Sequence, residues 1–156
     1  MLKGRSKTAL LYFMTLTETI RIRVRFSEVD SIRMVWHGNY VKYLEDAREA
    51  FGRKYSLEYL RFYENGLFIP MYDLHMKYVK SASVDDIISV KITWKEVAGA
   101  KIVFEYEIRR DSDNALLMTA ESIQLFTNLN GELELICPPF YEEWKAKWAA
   151  ELSRTE

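Results

Sequence analysis

The sequence is poor in cysteine, glycine and proline. A single cysteine, Cys137, among 156 residues excludes an internal disulfide and a cysteine cage for zinc, and it points to a reduced, cytoplasmic setting. Six glycines and three prolines leave little material for long irregular connections, so long elements joined by short turns are expected. No uninterrupted apolar run reaches the roughly 18 residues of a membrane span, and none is expected. Charge of one sign is lacking too: 22 Lys+Arg stand against 23 Asp+Glu, which excludes a globally basic chain that holds nucleic acid by charge alone. Disorder is excluded by the 49% hydrophobic content, and the length is that of one domain at roughly 100–200 residues each. What the chain has in abundance is aromatic side chains: 14%, as eight Phe, four Trp and ten Tyr. That is generous surface for a core, an interface or a ligand pocket.

Residues 1–13 differ from the rest. Lys3, Arg5 and Lys7 precede a brief apolar stretch, Ala9 to Met14, shorter than the roughly 7–15 residues of a signal peptide and without its cleavage site. They read as an N-terminal extension upstream of an effective start at Met14 or as a loosely held arm, with an ordinary edge strand or helix as the alternative, and 14–156 reads as a single domain. Ile20, Ile22, Val24 and Phe26 alternate with Arg21, Arg23 and Arg25, the period of a half-buried strand. A loop, Ser27 to Gly38, leads to an amphipathic helix from Asn39, near its N-cap, to about Tyr55, with Tyr40, Tyr43, Leu44, Ala47 and Phe51 at spacings of three and four. A second short helix is expected over Ser56–Asn65, closed by Gly66. Strands are expected at Leu67–Lys80, Asp86–Val97, Lys101–Arg110, Ala115–Thr127 and Glu132–Ile136, with turns at Ala98-Gly99-Ala100, Asp111–Asn114 and Asn130-Gly131. Pro138-Pro139 then opens a closing helix over Phe140–Leu152. A helix followed by an antiparallel meander predicts an α+β domain whose sheet curls around that helix. Its long edge strands call for pairing with another subunit.

The segment from Phe26 to Tyr40 stands out chemically. It leaves a strand, carries an acid at Asp30, and runs into the start of the long helix, where unpaired N–H groups and the positive dipole end suit a carbonyl developing negative charge. An acid opposed to backbone donors is a workable apparatus for attack on an ester or thioester. Taken alone, an acid before a helix is more often a cap or a surface charge. Glu45 and Glu49, one turn apart on the helix, read as solvated or Arg48-paired acids. His75 reads as surface. Cys137, before two prolines and with no partnered His, does not read as a nucleophile.

The stretches Arg25-Phe-Ser-Glu-Val-Asp30, Val35-Trp-His37-Gly38-Asn39-Tyr40 and Tyr43-Leu-Glu-Asp-Ala47-Arg48 resemble the signature of the hotdog-fold acyl-CoA thioesterases. The nearest branch is the 4-hydroxybenzoyl-CoA thioesterase family, with its relatives of the bacterial Tol-Pal gene cluster. The likeness continues through Tyr78-Val-Lys80 to Asp85-Asp86, and through Thr119 to Pro138. It implies a long central helix wrapped by a five- to six-stranded antiparallel sheet, and an enzyme that hydrolyses an acyl-CoA thioester to a carboxylic acid and coenzyme A. By the same resemblance Asp30 is the catalytic carboxylate, as nucleophile or general base; a second thioesterase branch with this fold places a glutamate on its central helix, which makes Glu45, ahead of Glu49, the second-ranked base. His37 contributes its backbone N–H, and a side chain that shapes the pocket. Gly38, Asn39 and Tyr40 line or position the substrate turn. No metal or cofactor is implied, since coenzyme A belongs to the substrate and leaves as a good thiolate leaving group. The partners implied are an acyl-CoA and further copies of the chain, as a homodimer or a dimer-of-dimers tetramer with the pocket at the subunit boundary. The competing reading is a non-catalytic acyl-CoA or lipid-binding hotdog module. Arg33-Met34 stands where the family usually has Gly, a difference expected to alter the loop backbone.

Overall fold

In the computed structural model residues 15–154 are described, and the expectation for residues 1–13 lies outside them. The chain enters as strand β1 (Thr15–Arg23), passes two single 3-10 turns (Phe26–Glu28 and His37–Asn39), and forms helices α1 (Tyr40–Tyr55) and α2 (Tyr59–Glu64). Strands β2 (Leu67–Phe68), β3 (Met71–Tyr78), β4 (Ile87–Lys95), β5 (Lys101–Arg110), β6 (Leu116–Leu125) and β7 (Thr127–Asn128) follow, and helix α3 (Pro139–Ser153) closes the chain. The main sheet is five-stranded and antiparallel in the order β1-β4-β5-β6-β3, with β2 and β7 forming a separate pair. Among the described residues no helix is long and apolar enough to cross a membrane.

Alternation builds the sheet. On β4, Ile88, Val90, Ile92 and Trp94 are fully buried, while Lys91 and Lys95 between them face water; β5 repeats the pattern with Ile102, Phe104, Tyr106 and Ile108. The backbone of α1 packs most closely on β1 and β4, burying Tyr43, Leu44, Ala47 and Phe51 at their helical spacing. The β5-β6-β3 half of the same face is left to a cavity beside the helix. α3 lies over the C-terminal end of α1, where the indole N–H groups of Trp144 and Trp148 both donate to the Tyr55 carbonyl, at 2.7 and 3.1 Å.

Several expected boundaries shift. β1 ends at Arg23, so Phe26 leaves the strand for a 3-10 turn and stands exposed. Ser56 is the left-handed C-cap of α1 (φ 56°), so the second helix starts at Tyr59 and not at Ser56. The expected strand Leu67–Lys80 is split at Ile69-Pro70, because proline has no N–H for a ladder; there the Ile69 and Pro70 carbonyls accept instead from the Gln124 side chain and the Leu125 amide. Ala115–Thr127 divides into β6 and β7. Glu132–Ile136 is no strand: a single bridge joins Thr127 and Leu133. β7 is too short to template more, and Leu135 and Ile136 stand exposed.

Candidate active site

The loop after β1 is a small hairpin of its own. Its base is tied down where Val24 N–H donates to the Asp86 carbonyl and Asp85 N–H to the Val24 carbonyl, at 2.9 and 3.0 Å. The first 3-10 turn is closed by the Glu28 carboxylate, which accepts the Arg25 N–H at 2.8 Å. Val29 then bridges to Val35 in antiparallel register, Asp30 N–H donates to the Met34 carbonyl (2.8 Å), and Trp36 N–H to the Glu28 carbonyl (3.0 Å).

Asp30 sits at the tip of this hairpin, exposed. Its Oδ1 accepts the N–H groups of Ile32 and Met34, at 3.0 and 3.3 Å. Its Oδ2 takes no hydrogen bond among the described residues, so one oxygen fixes the carboxylate and the other stays available. The turn closes through Arg33, whose φ of 63° lies in the left-handed region. The loop thus keeps the glycine-type backbone with an L side chain, at a cost of about 1–2 kcal/mol.

The helix start is held from three directions. Asn39 occupies the N-cap position but is itself helical and makes no capping bond; its side-chain N–H instead donates to the Glu28 carbonyl at 2.8 Å, stapling the helix to the hairpin. The buried Tyr40 hydroxyl accepts the Ala82 N–H at 3.1 Å, while the Ala82 carbonyl accepts the Val35 N–H at 2.9 Å. The Tyr78 hydroxyl donates to the His37 carbonyl at 2.8 Å. With Asn39 not capping, the N–H groups of His37 and Gly38 have no protein acceptor among the described residues, and they open the helical run at its positive end. The Trp36 indole lies over this turn, 4.9 Å from the His37 ring between centroids, and against Gly38, where a Cβ would fall 2.1 Å from an indole carbon.

His37, Gly38, Asn39 and Tyr40 are therefore together at one helix start, with Asp30 on the hairpin that this start anchors. Glu45 is apart from them. It is exposed on α1, 3.6 Å from Arg48, at the edge of a cavity of about 530 Å³ between α1 and the sheet, lined by Leu44, Phe51, Phe104 and Tyr106 among others. Glu49, on the same edge, is paired with Arg53. Inside, Tyr106 bonds Ser122 at 3.0 Å, and burial holds its phenol above the ordinary range.

Three participants stand in the stretches quoted from the sequence without a role assigned to them there: Trp36, Tyr78 and Tyr43. The Tyr43 hydroxyl is buried and makes no well-formed hydrogen bond among the described residues, and burial first, then the nearby Glu28 carboxylate, raises its pKa above the usual tyrosine value. Their place in those stretches was visible in the sequence, but their contacts were not. Burial and a hydrogen bond to Glu142 push the Cys137 thiol up to about 11.

Residues 24–148 match the Thioesterase-like superfamily. The sequence is 28% identical over 120 residues to a 4-hydroxybenzoyl-CoA thioesterase of a Pseudomonas species, covering 73% of this chain and 85% of that one. It is 27% identical over 105 residues to the acyl-CoA thioesterase YbgC of Haemophilus influenzae, covering 67% and 75%. The solved structure of the Pseudomonas enzyme superimposes with a TM-score of 0.72 at 28% identity, over 82% of this chain and 98% of that chain. With a sheet-wrapped helix in the hotdog arrangement and a match across most of its length, the chain belongs to the Thioesterase-like superfamily.

Proposed function

We propose that this protein is an acyl-CoA thioester hydrolase that releases a carboxylic acid and coenzyme A, with Asp30 as its catalytic carboxylate. The observation that carries the reading is the pairing, among the described residues, of a carboxylate fixed through one oxygen, the other open, with a helix start whose His37 and Gly38 amides have no protein acceptor. In this reading the thioester oxygen accepts from those amides, which withdraw charge as the carbonyl carbon becomes tetrahedral. Asp30 Oδ2 either adds to that carbon, giving a mixed anhydride that water then opens, or takes a proton from the water that adds. In both routes the C–S bond breaks and its electron pair leaves on the coenzyme A sulfur, so only water is consumed. A crystal of a 4-hydroxybenzoyl-CoA thioesterase carrying an Asp→Asn substitution holds 4-hydroxybenzoyl-CoA; a trapped substrate is what loss of a catalytic carboxylate produces. Gly38, Asn39 and Tyr40 are proposed to shape and hold the turn, and Glu45 ranks second as a base. Membership of the Tol-Pal-cluster branch rests on His37 at the helix start.

The working unit is proposed to be a homodimer or a dimer of such dimers. Two features support this. β3 pairs with β6 on one side only, and α1 leaves the β5-β6-β3 half of the inner face to a cavity, which a second copy joined along β3 would close. Purified protein offered a panel of aromatic, short-chain and medium-chain acyl-CoAs is expected to release thiol from at least one. Tight binding without turnover across the panel would support the binding-module reading instead.

A further inference from the structure

The assignment of Asp30 and the helix-start amides leaves one question of geometry: what aims the amide. The His37 carbonyl and the Gly38 N–H belong to one peptide unit, which is planar and trans, so the two bonds point in opposite directions. Whatever fixes the carbonyl therefore aims the N–H. That carbonyl is fixed by the Tyr78 hydroxyl, which donates to it at 2.8 Å from the far end of β3. The Tyr78 ring is in turn set edge-on against Tyr40, with centroids 5.4 Å apart, and Tyr40 is buried and bonded to Ala82. The Tyr78 hydroxyl acts in addition to the 3-10 turn His37–Asn39, which constrains the same peptide. Glycine restrains its own backbone less than any other residue, and the space where a side chain would sit at position 38 is filled by the Trp36 indole.

We propose that Tyr78 is a positioning residue for the hydrolysis, acting through the His37–Gly38 peptide. By holding the His37 carbonyl it directs the Gly38 N–H at the thioester oxygen. Donation to that carbonyl also polarises the peptide, so the N–H becomes a stronger donor as negative charge grows on the substrate. The inference rests on the reading of the site given above, and it gives Tyr78 a role that its place in the stretch Tyr78-Val-Lys80 does not assign. Trp36 serves the same end from the side chain's place over Gly38.

The test is Tyr78→Phe, which removes the hydroxyl and keeps the ring on Tyr40; the side chain is half-exposed, so the fold is retained. Removing an oxyanion donor outright costs roughly 10²–10³ in kcat, and a misdirected one less, so kcat should fall about 10–100-fold with KM changed by no more than about twofold. A merely structural role would not move the carbonyl itself. In an Asp30→Asn background that holds the intact thioester, the carbon-13 carbonyl stretch of bound acyl-CoA should shift to lower frequency, and adding Tyr78→Phe should reverse much of that shift. Unchanged kcat in Tyr78→Phe, or an unchanged carbonyl frequency in the double variant, overturns the inference while an inactive Asp30→Asn leaves the site reading standing. Full activity of Asp30→Asn would instead remove the site reading and this inference with it.

Discussion

The last helix is tied to the central one by a single carbonyl, and a double-mutant cycle can isolate that tie. The Tyr55 carbonyl, at the C-terminal end of α1 where helical acceptors lose their intrahelical partners, accepts both the Trp144 indole at 2.7 Å and the Trp148 indole at 3.1 Å. Trp144 is 5% exposed and packs on Trp94 and Tyr141. Trp144→Phe loses a buried hydrogen bond, about 0.5–1.5 kcal/mol, and leaves space in a dense aromatic cluster, so a total of about 2–3 kcal/mol is expected. Trp148 is half-buried and its bond longer, so Trp148→Phe should cost about 0.5–1 kcal/mol. Either single variant leaves one indole on the carbonyl. The double variant leaves none, and an unsatisfied buried acceptor costs about 1–3 kcal/mol. Equilibrium urea unfolding should therefore give a double-variant loss larger than the sum of the singles by about 1–2 kcal/mol. Additivity to within about 0.5 kcal/mol would refute the shared-acceptor account.

Three further outcomes follow from local geometry. Tyr40→Phe strands the buried Ala82 N–H and should lower stability by about 1–3 kcal/mol; an unchanged thermal midpoint would mean that this amide has another acceptor. Arg33→Gly relieves the left-handed strain at φ 63°, and, after the entropy glycine adds to the unfolded chain, should raise stability by about 0.5–1 kcal/mol; a lower urea midpoint would contradict it. The Cys137 thiol is raised from 9.0 to about 11, so the neutral form persists to higher pH and only the thiolate reacts. Alkylation of native protein at pH 8 should be about 100-fold slower than that of a thiol at the ordinary value, climbing until about pH 11; fast labelling at pH 8 would refute the burial argument.

Elements with a clear period were legible in the sequence. β5 begins and ends at Lys101 and Arg110 as its alternation implies, and α1 ends at Tyr55 where its apolar stripe stops. What was not legible depends on partners distant in the chain. Glu132–Ile136 alternates like a strand, yet β7 beside it is too short to pair with it beyond the one bridge from Thr127 to Leu133. Asn39 reads as an N-cap by residue type, but the Glu28 carbonyl competes for its side chain. Asp30, His37, Gly38, Asn39 and Tyr40 share one short segment, so motif and structure agree on their proximity. Tyr78 meets His37 across 41 residues, and no local pattern records such a meeting.

The central claim, that this chain hydrolyses acyl-CoA through Asp30, is tested most directly by thiol release from an acyl-CoA panel with the wild type and Asp30→Asn side by side. The account predicts turnover of at least one acyl-CoA by the wild type, and its loss in Asp30→Asn with an unchanged unfolding transition. Turnover by Asp30→Asn at the wild-type rate would contradict it.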